Sequence, residues 1–193
     1  MAGKKEREAL LKAIEEDGAD VLAEADDSIK SDREFILEAV KTDVYALQYA
    51  TDSLKADREV VLAAVKRNFY VLEVVDDSLK ADREVVLAAV KGSSGVALEY
   101  ADDSLKADRE FMLEAVKTRG DALEYATDSL KADREIVMEA LKQYGSLYHA
   151  DDSLKADREF IVEAVKTNGD ALMFASEELQ QDEELQKIAE EEE

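Results

Sequence analysis

Asp77-Ser78-Leu79-Lys80-Ala81-Asp82-Arg83-Glu84 decides the fold, because the chain returns to these eight residues unchanged at 52–59, 103–110, 128–135 and 152–159. A further copy at 27–34 differs only at Ile29 and Ser31. The Asp-Arg-Glu triplets begin at Asp32, Asp57, Asp82, Asp108, Asp133 and Asp157, a spacing of 24 to 26 residues. Self-similarity at that period is the mark of a solenoid, in which one small unit stacks on the next. The expected fold is therefore all-α: an α-solenoid whose units each hold one main helix and two short helical segments.

Working outward from the motif, six units fall at 26–50, 51–75, 76–101, 102–126, 127–150 and 151–175. Residues 1–25 form an N-terminal capping region, and 176–193 a C-terminal partial repeat. Within a unit, residue 51, 76, 102, 127, 151 or 176 is Thr, Asp or Ser and opens a short turn whose orphan N–H groups its side chain can accept. An acid comes directly after each of these, where the helix dipole favours negative charge. Leu54 and its counterparts tuck beneath the turn. The main helix, Asp57-Arg58-Glu59-Val60-Val61-Leu62-Ala63-Ala64-Val65-Lys66, has Asp57 as N-cap. Its run of Val60, Val61 and Leu62 is too wide for one amphipathic stripe, so the helix must be covered on more than one side. The third piece is Ala122-Leu123-Glu124-Tyr125-Ala126 and its relatives. Gly120 before it suits a left-handed C-terminal position, and Asp121 can cap the segment it opens; Gly169-Asp170 repeats the pair. The connectors vary most, which places them on the surface. Both ends carry polar residues, as terminal repeats need. One unit alone buries too little apolar surface to offset the entropy of ordering it, so burial between neighbours must supply the rest.

Composition supports helices and restricts chemistry. Proline is missing, and alanine, leucine, glutamate and lysine abound. Without cysteine there is no disulfide and no thiolate, and the redox compartment stays open. The formal charge is −23, from 48 acidic and 25 basic residues. Such a surface repels phosphate backbones and argues against nucleic acid as a partner. It reads first as solvated helix faces that keep the stack in solution. No apolar run approaches the ~18 residues of a membrane span, and the first residues lack the apolar stretch of a signal peptide. The expectation is a soluble monomer, cytoplasmic by default, with no membrane partner.

Tyr49-Ala50-Thr51-Asp52-Ser53-Leu54-Lys55-Ala56-Asp57-Arg58-Glu59, with the apolar helix after it, resembles the repeats of the domain-of-unknown-function 4116 family. Gly169-Asp170-Ala171-Leu172-Met173-Phe174-Ala175-Ser176-Glu177-Glu178-Leu179 is similar to that pattern again. The resemblance spans residues 26–180. It implies a helical repeat and brings no activity, catalytic residue or cofactor. The ends, Lys4–Asp17 and 180–193, are regular Glu/Lys/Ala/Leu sequence of the kind engineered helical caps use. That reads as an engineered or designed repeat protein, with no natural partner. The uneven units and varied connectors read as a natural repeat, whose partner would be an unknown protein or peptide.

Candidate chemistry is sparse. His149 is the lone histidine and stands where Tyr49, Tyr100 and Tyr125 stand, so it reads as a packing substitution. With no cysteine and no second histidine, zinc has no ligand set. The Ser53 family lacks a base and is explained by capping. Asp-Asp-Ser-x-x-x-Asp clusters suggest an alternative, an acidic calcium-binding protein. They lack the alternating oxygen ligands, central glycine and closing glutamate of an EF-hand loop. Gly92-Ser93-Ser94-Gly95 is no phosphate-binding loop, since no Gly-Lys-Ser/Thr comes after it, and reads as a flexible connector. Tyr49, Tyr100, Tyr125, His149 and Phe174 share one register and are the candidates to line a groove. The expected function is a non-enzymatic scaffold or protein-interaction module without cofactor.

Overall fold

A computed structural model describes residues 3–143 and 145–191. Every regular element among them is α-helical or 3-10 helical, with no strand. The chain divides into two compact units: Met1–Ser93 with Tyr100–Asp102, and Ser94–Glu99 with Asp103–Glu193.

Each repeat has one pattern. A four-residue helix (Asp27–Lys30, Asp52–Lys55, Asp77–Lys80, Asp103–Lys106, Asp128–Lys131, Asp152–Lys155, Glu177–Gln180) leads into a main helix. These are Arg33–Thr42, Arg58–Val65, Arg83–Lys91, Arg109–Thr118, Arg134–Lys142, Arg158–Thr167 and Glu183–Glu191. A 3-10 segment such as Val44–Tyr49 or Gly120–Tyr125 then returns the chain. The break between the two α-helices is set by the motif's second aspartate. Asp57 holds an extended backbone, and its Oδ1 accepts from the N–H groups of Glu59 at 3.0 Å and Val60 at 3.1 Å. Asp32, Asp82, Asp108, Asp133, Asp157 and Asp182 cap their helices likewise.

In the first unit Lys4–Asp17 packs on Arg33–Thr42, which packs on Arg58–Val65, which packs on Arg83–Lys91. In the second, Arg109–Thr118, Arg134–Lys142, Arg158–Thr167 and Glu183–Glu191 stack in the same way. The 3-10 segments Val44–Tyr49, Phe69–Glu73, Gly120–Tyr125 and Gly169–Phe174 each fill the space beside their own main helix and the next, as Gly120–Tyr125 does between Arg109–Thr118 and Arg134–Lys142. The core is accordingly periodic: Phe35, Ile36, Ala39 and Val40 are fully buried, and so are Phe111, Met112, Ala115 and Val116. Of the run Val60, Val61, Leu62, the first two are fully buried and Leu62 is half-buried. Coverage therefore comes from both neighbouring helices and stops short of the outer edge. A fully buried side chain of this size contributes ~1.5–3 kcal/mol.

Two further links recur within each unit. The last carbonyl of a four-residue helix accepts from the backbone N–H that opens the next such helix, as Lys30 O does from Thr51 N at 3.1 Å and Lys155 O from Ser176 N at 2.8 Å. An arginine also reaches forward. Arg33 Nε donates to Asp57 at 2.7 Å and its Nη2 to Glu59; Arg109 meets Asp133 at 2.8 Å and Glu135 at 2.6 Å. Arg7, Arg58, Arg134 and Arg158 make the corresponding reach to Asp32, Asp82, Asp157 and Asp182.

Several expectations need correction. Gly120 is not left-handed: among the described glycines, positive φ occurs only at Gly18 and Gly95. What Gly120 supplies is close approach, since a Cβ there would lie 2.4 Å from Ala140 O. Asp121 does not cap, for the N-cap of that segment is Arg119 and no side chain accepts there. Thr51, Thr127 and Ser176 make no side-chain cap either; Thr51 Oγ1 meets Ser53 Oγ at 3.0 Å, whereas Asp26, Asp76 and Asp151 do cap. Residues 92–95 are a tight turn with Ser93 buried and Gly95 at φ +84°, where a Cβ would lie 2.8 Å from Ala122 N. The N-terminal end is not polar throughout, because Leu10, Ala13, Val21 and Ala25 are only half-buried.

Candidate functional site

The 3-10 segments end on a fixed register. Leu47 and Leu123 point inward and are fully buried, the next residue (Gln48, Glu124) is exposed, and the one after it is half-buried before a buried alanine closes the turn. That half-buried position holds Tyr49, Val74, Tyr100, Tyr125, His149 and Phe174. All five candidate residues thus share one edge of their repeats, neither in the core nor free of it. Half-burial fits an amphipathic ring with an apolar body packed on the turn and a polar tip in water.

In the first unit Tyr49 Oη donates to Asp20 Oδ1 at 2.6 Å, across one repeat step. That carboxylate holds the phenol above its ordinary pKa, with burial and the nearby Asp43 adding to the shift. Tyr70 and Tyr100 meet edge to face with ring centroids 6.2 Å apart, and Phe69 lies 4.2 Å from Tyr70. In the second unit Tyr148 stands edge to face against His149 at 4.9 Å and against Phe174 at 6.5 Å. His149 Nε2 lies 3.9 Å from Glu124 Oε2. Tyr125 is pushed above its ordinary pKa by burial first, then by Glu124 and Glu99.

Four neighbours escape a periodic reading of the sequence. Tyr45, Tyr70, Tyr148 and Met173 are large apolar side chains exposed to 51%, 49%, 66% and 68%. They lie in the 3-10 segments on two different registers, so the repeat draws no attention to them. The available signal is a ring or thioether at a position that other units fill with Asp121, Glu124 or Gln48. Their backbones are pinned: Asp43 and Asn68 accept from Tyr45 N at 3.0 Å and Tyr70 N at 2.9 Å, and Lys155 Nζ donates to Tyr148 O at 3.0 Å. Asn68 Nδ2 also donates to Tyr45 Oη at 3.2 Å. Each unit thereby displays an aromatic patch on fixed backbone, with an exposed acid nearby, Glu73 close in sequence to Tyr70 in one and Glu124 beside His149 in the other.

The repeated aspartates are engaged otherwise. Among the described residues no group of three or more His, Asp or Glu is placed to hold a metal ion; the motif's second aspartate caps a helix and pairs with arginine instead. No helix among them is long and apolar enough to cross a membrane.

One family profile, described as Domain of unknown function (DUF4116), matches at residues 6–55, 57–106, 92–131, 108–155 and 133–180. No curated protein and no solved structure matches the chain.

Proposed function

The chain belongs to the DUF4116 family of repeats, and from that premise we propose that it is a non-catalytic interaction scaffold whose ligand is a protein or peptide segment rich in lysine or arginine. The observation that carries this is the pair of exposed aromatic patches, Tyr45, Tyr70 and Tyr100 in one unit and Tyr148, Phe174 and Met173 in the other. Large apolar side chains held in the open on a pinned backbone are costly ornaments unless something covers them. Tyrosine is a frequent anchor at interfaces, and its face attracts a cation. The patches sit on a chain of net charge −23, which draws a basic segment in and speeds its arrival. Near-identical units also offer no singular grouping of nucleophile, base and oxyanion donors, which is what catalysis requires.

A panel of basic, neutral and acidic peptides, each with and without an aromatic residue, tests the reading. With no tryptophan in the chain, tyrosine emission reports contact directly. Basic peptides are expected to quench it saturably, and replacing Tyr148 and Met173 together by Ser to weaken the binding roughly tenfold or more. Indifference to the two replacements, or a turnover lost on changing one residue, overturns it.

A further inference from the structure

The Lys4–Asp17 end of the first unit is built like an interior step with one side missing. Interior main helices bury the register of Phe35, Ile36 and Ala39 completely. In Lys4–Asp17 that register holds Ala9, Leu10 and Ala13, of which Ala9 is exposed and the other two half-buried. Together with Val21 and Ala25 they line a cleft of about 630 Å³ rimmed by Glu6, Glu24 and Asp26.

The two polar links of an interior step are open here as well. Where Asp57 and Glu59 receive Arg33, this helix offers Glu6 and Glu8. Among the described residues Glu6 has no ion-pair partner, and Glu8 meets only Lys4 of its own helix at 3.8 Å. Where Thr51 N donates to Lys30 O, the equivalent Asp26 N–H has no hydrogen-bond partner among the described residues. Apolar register, carboxylate pair and backbone donor are each one half of a contact completed elsewhere in the unit.

The chain's own last helix cannot supply the missing half. Glu183 stands in the arginine register and would repel Glu6 and Glu8. Gln186 stands in the register of buried Ile161, and its Nε2 donates to Gln180 O at 2.9 Å, occupying the carbonyl that interior steps offer to the next N–H. That helix is a stopper, and the N-terminal one is a socket.

We propose that the N-terminal face of the first unit docks one further helical unit of this repeat class that presents an arginine in the Asp-Arg-Glu register, an apolar residue in the Ile161 register and an open carbonyl at the end of its four-residue helix. The assignment rests on continuity with the step-to-step interface already present and on Glu6, unpaired among the described residues, beside Glu8, which meets only Lys4 of its own helix. It is independent of the aromatic patches.

The test converts the stopper into the proposed partner. A donor is made from the full chain with Glu183→Arg and Gln186→Ile, plus Leu10→Glu so that it cannot receive its own kind. Labelled donor is titrated with the native full chain and monitored by sedimentation velocity and fluorescence anisotropy. Saturable one-to-one association is expected, lost when the native partner carries Glu8→Arg or Leu10→Glu, and weakened by salt. Circular dichroism melts establish that every chain keeps its helices; if the donor does not, Glu183→Arg with Leu10→Glu takes its place under the same criteria. Folded chains that fail to associate overturn the proposal. So does association that ignores both Glu8→Arg and Leu10→Glu, since it would use another surface.

Discussion

Gly120 shows how a single residue sets the spacing between repeats. Its backbone runs against Ala140 O and against Gly145, so that a methyl group would sit 2.4 Å from the first and 2.7 Å from Gly145 N. Both contacts are backbone, which cannot swing aside as a long side chain does. Gly92 makes the control: it has right-handed helical backbone, and a Cβ there would meet nothing nearer than Ala89 O at 3.7 Å. Gly120→Ala is expected to destabilise by at least about 2 kcal/mol, through forced displacement of packed backbone. Gly92→Ala should be neutral or stabilising by about 0.4–1 kcal/mol, because it removes freedom only from the unfolded chain. Urea melts of the two variants decide the matter, and similar losses in both would show that backbone approach at Gly120 is not tight. The same position marks where sequence reasoning stops. A glycine behind a helix ordinarily suggests a left-handed turn, while close approach depends on residues 20 and 25 positions away and leaves no local trace.

At the scale of the element, the motif's second aspartate does two jobs, and pH separates them. Asp82 caps Arg83–Lys91 through Val85 N at 3.0 Å and receives Arg58 Nε at 2.8 Å. Arg58 holds the Asp82 carboxyl below its ordinary value of 3.8, with the backbone N–H groups of Val85 and Glu84 adding to the effect. Asp57 and Asp133 are lowered chiefly by Arg33 and Arg109 in the same way. A carboxyl whose pKa is lower folded than unfolded contributes stability above the unfolded value and loses it as pH falls through the folded one. Asp82→Asn keeps an oxygen to cap with and removes the charge; Asp82→Ala removes both, and a lost cap alone costs ~0.5–2 kcal/mol. The gap in stability between native and Asp82→Asn should be widest near neutrality and shrink below about pH 4. The gap between Asp82→Asn and Asp82→Ala should persist throughout. Thermal melts across the acid range measure both, and a native-to-Asn gap that ignores pH would show that the arginine contributes nothing through charge. This element was legible in the sequence because its chemistry recurs: the capping aspartate, the forward arginine and the buried leucine return every 24 to 26 residues. The register of Tyr49, Tyr100, Tyr125, His149 and Phe174 was legible for the same reason. Tyr45, Tyr70, Tyr148 and Met173 were not, since they break the repeat, and the open face at Leu10 was hidden because its residues resemble those of a covered helix.

Over the whole molecule, short-range attraction and long-range repulsion oppose each other, and salt decides between them. Arg33, Arg58, Arg109 and Arg158 each bind a carboxylate pair, yet their side chains remain nearly half exposed, at 42% for Arg33 and 47% for Arg158. Exposed pairs contribute only about 0–1 kcal/mol each, bidentate ones at the upper end. Against them stand 48 acidic and 25 basic residues, so that complete pairing would still leave 23 negative charges on the chain. Carboxylates recur in every repeat, as at Asp52, Asp77, Asp103, Asp128 and Asp152, and their mutual repulsion acts over distances at which pairs no longer attract. Screening weakens both effects but falls harder on the longer-ranged one, because the Debye length is already ~10 Å at 0.1 M salt. The melting temperature should therefore rise from very dilute buffer to about 0.3 M sodium chloride. Choline chloride at equal ionic strength should raise it as much, since screening does not distinguish one monovalent cation from another. Calcium at matched ionic strength should add only what its higher charge brings to screening, with no saturation at low concentration. A melting temperature that falls with sodium chloride would mean that the arginine ladder outweighs the net charge, and a saturable increment from calcium would mean that the aspartate clusters hold an ion after all.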